Sequence, residues 1–174
     1  MDAVIRPCVP GDESALALIG QATFLETFAG ILPGPDIVAH CRRQHAEEKY
    51  AAWLSDARTF AWLAEAEPGR APIGFLVLTA PDLPLADLSD RDLEIKRVYL
   101  LRRFQGVGLG ARLMHTASAK ARELGSRRLL LGVYSGNETA IGFYERLGYR
   151  RVGERSFVVG SLTCRDYILG LSLT

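Results

Sequence analysis

Residues 101–114 read LRRFQGVGLGARLM, with glycines alternating at Gly106, Gly108 and Gly110. Before them runs LEIKRVYL (93–100), an apolar strand-like segment. After them comes ARLMHTASAKAREL (111–124), with helical periodicity. A glycine weakens the interior of a helix or strand unless its missing side chain is needed. Three of them where a strand turns into a helix predict a loop whose backbone N–H groups, with those of the helix start, converge on an anion. The helix dipole adds to that preference. A tight turn needing positive φ explains any one glycine equally well, so it is the alternation before a helix that points to phosphate.

Outward from this loop, residues 3–7 (AVIRP) predict a first strand, and Asp12 an N-cap for a helix carrying Ala15, Leu18, Ile19 and Ala22. A second helix is predicted over 36–54. Strands follow at 58–65 and 72–79, joined by the turn EPGRA. PDLPLADLSD (81–90) is a loop. Beyond the glycine loop a helix runs to Leu124–Gly125, then LLLGVY (129–134) reads as a strand buried on both faces. Asn137 caps a helix to Leu147, and YRRVGE and RDYILGLSL are the last strands. The order β-α-α-β-β-β-α-β-α-β-β, without repeat or linker, predicts one α/β domain over residues 1–174 with a mixed α+β sheet and helices on both faces.

Composition narrows the function. The chain is 48% hydrophobic, and its 21 basic residues against 20 acidic ones leave a net charge of +1. No global field recruits nucleic acid or a membrane, so neither is expected as a partner. MDAVIRPCVPGDE lacks the basic-then-apolar pattern of a signal peptide, and runs such as IGFLVLTA are too short to span a bilayer, so a cytoplasmic protein is expected. Cys8, Cys41 and Cys164 are odd in number and far apart, which predicts buried thiols rather than disulfides or zinc. His40 and His45 are off-register for one helix face, and no metal spacing is found.

The phosphate ligand can be narrowed further. No GK[ST] is present, which removes the P-loop. Gly106, Gly108 and Ala111 satisfy the GxGxxA of a dinucleotide fold. That fold needs an acidic residue about 20 positions on, which SRRLLLGVYSG lacks. Only 64 residues follow Gly110, too few for the rest of a doubly wound sheet. Coenzyme A remains.

Gln105, Gly108 and Gly110 match the [QR]xxGx[GA] phosphate loop of the GNAT superfamily of N-acetyltransferases, and NETAIGFYERLGYRRVGE (137–154) resembles its second signature. The resemblance covers at least residues 92–154 and implies the GNAT-type acyl-CoA N-acyltransferase fold, about seven strands with about four helices. LEIKRVYL, LLLGVYSGNETAIGFYERLGY, GERSFVVG and the N-terminal ATFLETF resemble the PaiA-like branch, similar to spermidine and spermine acetyltransferases. The chain departs from that branch at Arg155, where histidine is expected, and after Gly160, where it is shorter and less acidic.

The resemblance implies acetyl-CoA as co-substrate and no metal. Backbone N–H groups of Gly106, Val107, Gly108, Leu109, Gly110 and Ala111, with Gln105, would hold the pyrophosphate. Val98, Tyr99 and Leu100 would pair with the pantetheine arm, and one of their N–H groups would face the acetyl oxygen. Tyr144 would protonate the departing sulfur, although Ala140, Phe143, Tyr144 and Leu147 also read as a core stripe. Asn137 is a helix cap with reach to the cofactor. Glu94, eleven positions before Gln105, matches the general-base spacing of histone acetyltransferases, and its flanks Leu93 and Ile95 predict burial. Ribosomal-protein acetyltransferases keep a glutamate five positions before the asparagine, where this chain has Gly132. The expected acceptor is a small amine, a polyamine on the branch resemblance, with Glu94, Glu26, Asp36, Phe24 and Phe28 to receive it. A protein N-terminus or lysine is the alternative, and a non-catalytic acyl-CoA module a third. A homodimer is compatible with all three.

Overall fold

The computed structural model describes residues 2–160 and 162–174. Seven strands form one sheet: β1 (Ala3–Pro7), β2 (Phe60–Ala66), β3 (Ala71–Thr79), β4 (Asp92–Leu100), β5 (Arg128–Tyr134), β6 (Arg150–Val159) and β7 (Leu162–Ser172). Their spatial order is β1-β2-β3-β4-β5-β7-β6, antiparallel except for the β4–β5 pair. That pair is linked across the sheet by α4 (Leu109–Glu123). The other helices are α1 (Glu13–Phe28), α2 (Gly34–Gln44), α3 (Glu47–Leu54) and α5 (Glu138–Arg146). No helix among the described residues is long and apolar enough to cross a membrane.

Strand alternation divides the core. Leu76, Leu78, Ile95, Leu129, Leu131 and Val133 face one side, where α4 supplies Leu113, Met114 and Ala117 and α5 supplies Tyr144. Leu63, Phe75 and Val77 face the other side, against Leu16 and Ile19 of α1 and Tyr50 of α3. Farther along that second face, Phe24 and Phe28 of α1 and Ile37 of α2 pack on Val159 and Phe157 of β6.

Two local expectations are corrected. The helix predicted over 36–54 is two helices, giving five among the described residues, because the chain breaks at His45 and Ala46. The His45 ring turns inward to the Tyr50 hydroxyl at 2.8 Å, and the Gln21 side chain donates to the His45 carbonyl. Those two bonds replace helical continuity. Asp12 occupies the N-cap position of α1, but its carboxylate does not cap the helix. It accepts instead from Arg6 and from the Val9 N–H, tying β1 to the helix start.

One feature of the sheet positions everything that follows. β4 and β5 share only the pairs Asp92–Arg128, Leu93–Leu129 and Glu94–Leu130 before they part. On the other side of β4 the register with β3 shifts past Arg97 and Ile95, so that Lys96 is an extra residue. Such a bulge bends and twists its strand. The closed end of the V is clamped by charge. Asp92 is fully buried and takes hydrogen bonds from Arg127 at 2.7 Å and Arg128 at 3.0 Å. Burial works to raise its pKa, but those bonds and the Ser89 N–H outweigh it and hold the carboxyl below its usual range.

A folded-state pKa held low stabilises above the unfolded value of about 3.9 and is lost as pH falls through the folded value. Asp92→Asn should therefore cost about 2–3 kcal/mol at pH 7, because two arginines lose a charged partner. Urea unfolding of both proteins should show the gap narrowing from about pH 4 downward. A gap that does not change with pH would contradict the clamp.

Candidate active site

Past Glu94 the β5-facing edge of β4 has no strand partner among the described residues. Its Val98, Tyr99 and Leu100 remain paired to Leu76, Phe75 and Gly74 of β3 on the other side. The backbone groups on the free edge are thus available to an extended ligand. The strand runs from there through a 3-10 turn (Arg102–Phe104) into the glycine loop. The Gln105 side chain donates to the Leu100 carbonyl at 2.9 Å, so its direct contact is with the strand end. The Glu26 carboxylate accepts the Arg102 N–H at 2.8 Å and fixes the turn from α1.

The three glycines have two different reasons. Gly106 and Gly108 adopt φ of +79° and +83°, and a Cβ at either would meet open space. They are required by backbone sign. Gly108 is the left-handed N-cap of α4 and its carbonyl accepts the first helical bond, from the Arg112 N–H. The N–H groups of Leu109, Gly110 and Ala111 therefore emerge from the helix start without helical partners. Gly110 faces α5 closely: a Cβ there would lie 3.3 Å from the Phe143 ring, so a small residue is tolerated and a large one is not. Val107 projects into solvent.

Across the splay, the Asn137 side chain accepts the Ala140 N–H at 3.1 Å and caps α5, as its position predicts. Two turns on, Tyr144 is buried in the core formed with α4. Its ring lies 5.3 Å from Phe143 and 6.0 Å from Tyr149, and its hydroxyl makes no hydrogen bond to a described residue. Burial, then the neighbouring Tyr99 hydroxyl, pushes its pKa up and keeps it protonated. Tyr144 is thus both a core residue and the hydroxyl that α5 brings toward Tyr99.

Glu94 is 1% exposed, with one oxygen accepting the Asp82 N–H at 2.8 Å and the other 3.3 Å from the Lys96 ammonium. It sits at the last rung before the strands part, and these bonds make it a strut of the closed end. The sequence expects Glu94 as a general base; its carboxylate is enclosed and engaged by the Asp82 N–H and Lys96.

Sequence reasoning missed a polar group lying over Gly132 of β5. A Cβ on Gly132 would lie 2.5–2.8 Å from Nη2 and Cζ of Arg155, so the guanidinium occupies the space above the glycine. Arg155 pairs with the buried Asp166 at 3.2 Å, and the Asp166 Oδ1 is enclosed without a partner. The two departures from the family patterns, Gly132 and Arg155, are therefore one feature in space. A glycine inside the apolar run LLLGVY was the available signal. In α1, Gly20 leaves room in the same way for His45 and the Tyr50 hydroxyl, which a Cβ would overlap.

The comparisons agree with this geometry. Residues 26–149 match the model of the acetyltransferase (GNAT) family. An uncharacterized N-acetyltransferase of Lactobacillus delbrueckii subsp. lactis is 31% identical over 155 residues, 89% of this chain and 88% of that protein. Among solved structures, the PaiA N-acetyltransferase of Thermoplasma acidophilum in complex with coenzyme A superposes with a TM-score of 0.80, at 22% identity over 99% of both chains. A second, YncA of Salmonella typhimurium with its cofactor acetyl-CoA, gives 0.74 at 21% identity over 100% of this chain and 95% of that one.

The glycine assignments separate by substitution. Gly108→Ala and Gly108→Leu should cost the same, about 1–2 kcal/mol, because only the left-handed backbone is strained. At Gly110, alanine should be near neutral and leucine should cost about 1–3 kcal/mol through overpacking on Phe143. Urea midpoints for the four variants check this, and a size dependence at Gly108 would contradict it.

Proposed function

The chain belongs to the acetyltransferase (GNAT) family, and from that premise we propose that it transfers the acetyl group of acetyl-CoA to the primary amine of a small molecule, by direct attack when both substrates are bound. The observation that carries this reading is the free edge of β4 leading into the N–H groups at the start of α4. An extended pantetheine has amides for the edge and a pyrophosphate for the helix start. The coenzyme A and acetyl-CoA complexes of the two fold neighbours support it.

In the reaction the neutral amine nitrogen attacks the thioester carbonyl carbon. A C–N bond forms and the carbonyl oxygen becomes an oxyanion facing an N–H of Val98–Leu100. Collapse breaks the C–S bond and expels the thiolate. The sulfur takes a proton from the Tyr144 hydroxyl while the former amine gives one up, and water restores the tyrosine. The products are the N-acetylated amine and coenzyme A thiol. Asp166 is our choice of proton acceptor, because its Oδ1 is the unpartnered carboxylate oxygen of the acceptor side. Burial raises its pKa against the opposing effect of Arg155, in the direction a base at neutral pH requires.

A small acceptor is favoured over a peptide because α1, α2 and β6 meet over the second face through Phe24, Ile37 and Phe157. The narrower polyamine expectation comes from the branch resemblance, with three carboxylates beside it. Glu94 and Glu26 are engaged with the Asp82 and Arg102 N–H groups, and Asp36 lies against Gly160.

Thiol release from acetyl-CoA across amines and peptides tests the reaction. Tyr144→Phe should lower kcat by about 10²–10⁴-fold with a smaller change in the KM for acetyl-CoA. Asp166→Asn should remove the acidic limb of the kcat/KM profile, whereas Glu94→Gln should keep it. The reverse pattern would return the base to Glu94, and wild-type turnover in a folded Tyr144→Phe would remove the tyrosine from the mechanism.

A further inference from the structure

The walls of the acceptor side can be followed as a continuous ring of contacts. From Arg155 the guanidinium carbon lies 6.0 Å from the Phe157 ring, and that ring is 6.1 Å from His40. His40 stacks on Phe24 at 4.1 Å, and Phe24 is 5.5 Å from His45. His45 Nδ1 accepts from the Tyr50 hydroxyl, and the Tyr50 oxygen accepts from Arg97 Nη1, each at 2.8 Å. Arg97 and Arg155 thus stand on opposite lips of the splay, with Tyr99 between them, its hydroxyl within the electrostatic reach of both and of Asp166.

The charges in this ring do not cancel. Asp166 is paired with Arg155. Arg97 belongs to none of the ion pairs among the described residues. Its side chain is half-buried and its position is fixed, with Cζ 4.7 Å from the Trp53 ring and 5.3 Å from the Tyr50 ring. Among the described residues only its Nη1 makes hydrogen bonds, to the Tyr50 oxygen and, at 3.4 Å, to His45 Nδ1. The Nε–Nη2 edge, the edge that takes a carboxylate in two parallel bonds, is left without a protein partner among the described residues. Two enclosed polar atoms of the same ring also lack partners, His40 Nδ1 and Asp166 Oδ1, in residues 8% and 4% exposed. A preorganised cation with an unused fork, beside unsatisfied polar atoms, is an environment that repels a polycation and lacks an anion.

We propose that the acceptor is an aminocarboxylate, an amine carrying its own carboxylate, with that carboxylate held by the Nε–Nη2 edge of Arg97 and the amine directed toward Asp166 and the thioester. This rests on the acetyltransferase reading above and specifies the substrate class for its acceptor side. Arg97 acts as a specificity residue: it binds the far end of the acceptor and leaves the bond-making steps as written. A polyamine, which would bring further positive charge beside Arg97, is disfavoured by the same arrangement.

The test compares matched acceptors in the thiol-release assay: amino acids of small, aliphatic and aromatic side chain, their carboxamides, the corresponding decarboxylated amines, and spermidine. For the best series the free acid should exceed its carboxamide in kcat/KM by about 10- to 100-fold, the range of a charge-assisted pair lost to a neutral one. Arg97→Gln should bring the acid-to-amide ratio toward one, and Arg97→Lys should give an intermediate ratio. Carboxamides or spermidine equal to the acids in the wild-type protein would overturn the proposal while leaving the acetyltransferase reading intact, and that comparison needs no variant. An unchanged ratio in folded Arg97→Gln would overturn it as well. If acetyl-CoA binds but no amine releases thiol, the acetyltransferase reading itself fails and the aminocarboxylate assignment falls with it.

Discussion

The parting of β4 from β5 after three shared rungs is the constraint on which the rest depends. A parallel pair normally continues until one strand ends, because each abandoned rung leaves backbone donors and acceptors without partners. Here the separation is imposed from both directions. The Asp92–Arg127–Arg128 clamp fixes the closed end, and the extra residue at Lys96 bends β4 away. Unpaired groups on a central strand would be a liability in a finished sheet. At the mouth of a glycine loop they are the groups that the proposed function gives to an amide-bearing ligand.

Polar chemistry is then placed by removing side chains. Gly132 leaves the floor of β5 bare, so that the Arg155 guanidinium can lie on it, and Gly20 leaves α1 bare, so that His45 and Tyr50 can meet. Both substitutions weaken their own element by local propensity. Each is offset by a hydrogen-bonded polar group that could not otherwise be buried. The two lips of the splay are linked through these groups, so the acceptor side and the helices α1–α3 form one packing unit.

The strand and helix order was legible because periodicity and punctuation agreed along most of the chain, and the loop was legible as a strand-to-helix turn because glycines mark its left-handed backbone. Asn137 as a helix cap and Tyr144 as a member of a core stripe could be read for the same reason, each from a position relative to its helix. What could not be read was which partner each carboxylate meets. Glu94 looks identical on the page whether it faces a ligand or the Asp82 N–H, and that choice is made by a loop twelve residues away. The break at His45 was equally hidden, since it is set by Tyr50 and Gln21 in three dimensions rather than by a proline or glycine. Arg97 reads as a surface cation in an alternating strand, and only the aromatic faces of Tyr50 and Trp53 reveal it as a fixed one.

The histidines complete the electrostatic picture of the acceptor side. Burial, then Arg97, pushes His45 down to about 2, and burial with Arg97 and Arg43 pushes His40 down to about 4. Both are neutral at physiological pH, and the bond from Tyr50 to His45 Nδ1 places the His45 proton on Nε2. Neutral imidazoles let Arg97 sit among them without like-charge repulsion, and Arg97 in turn keeps them neutral. The positive charge of this side is thereby concentrated on guanidinium groups, which do not titrate. The field that meets an incoming acceptor is fixed by the fold from below neutral pH upward. Changes with pH in that range then arise from the acceptor amine and the base that takes its proton, and not from the walls that orient it.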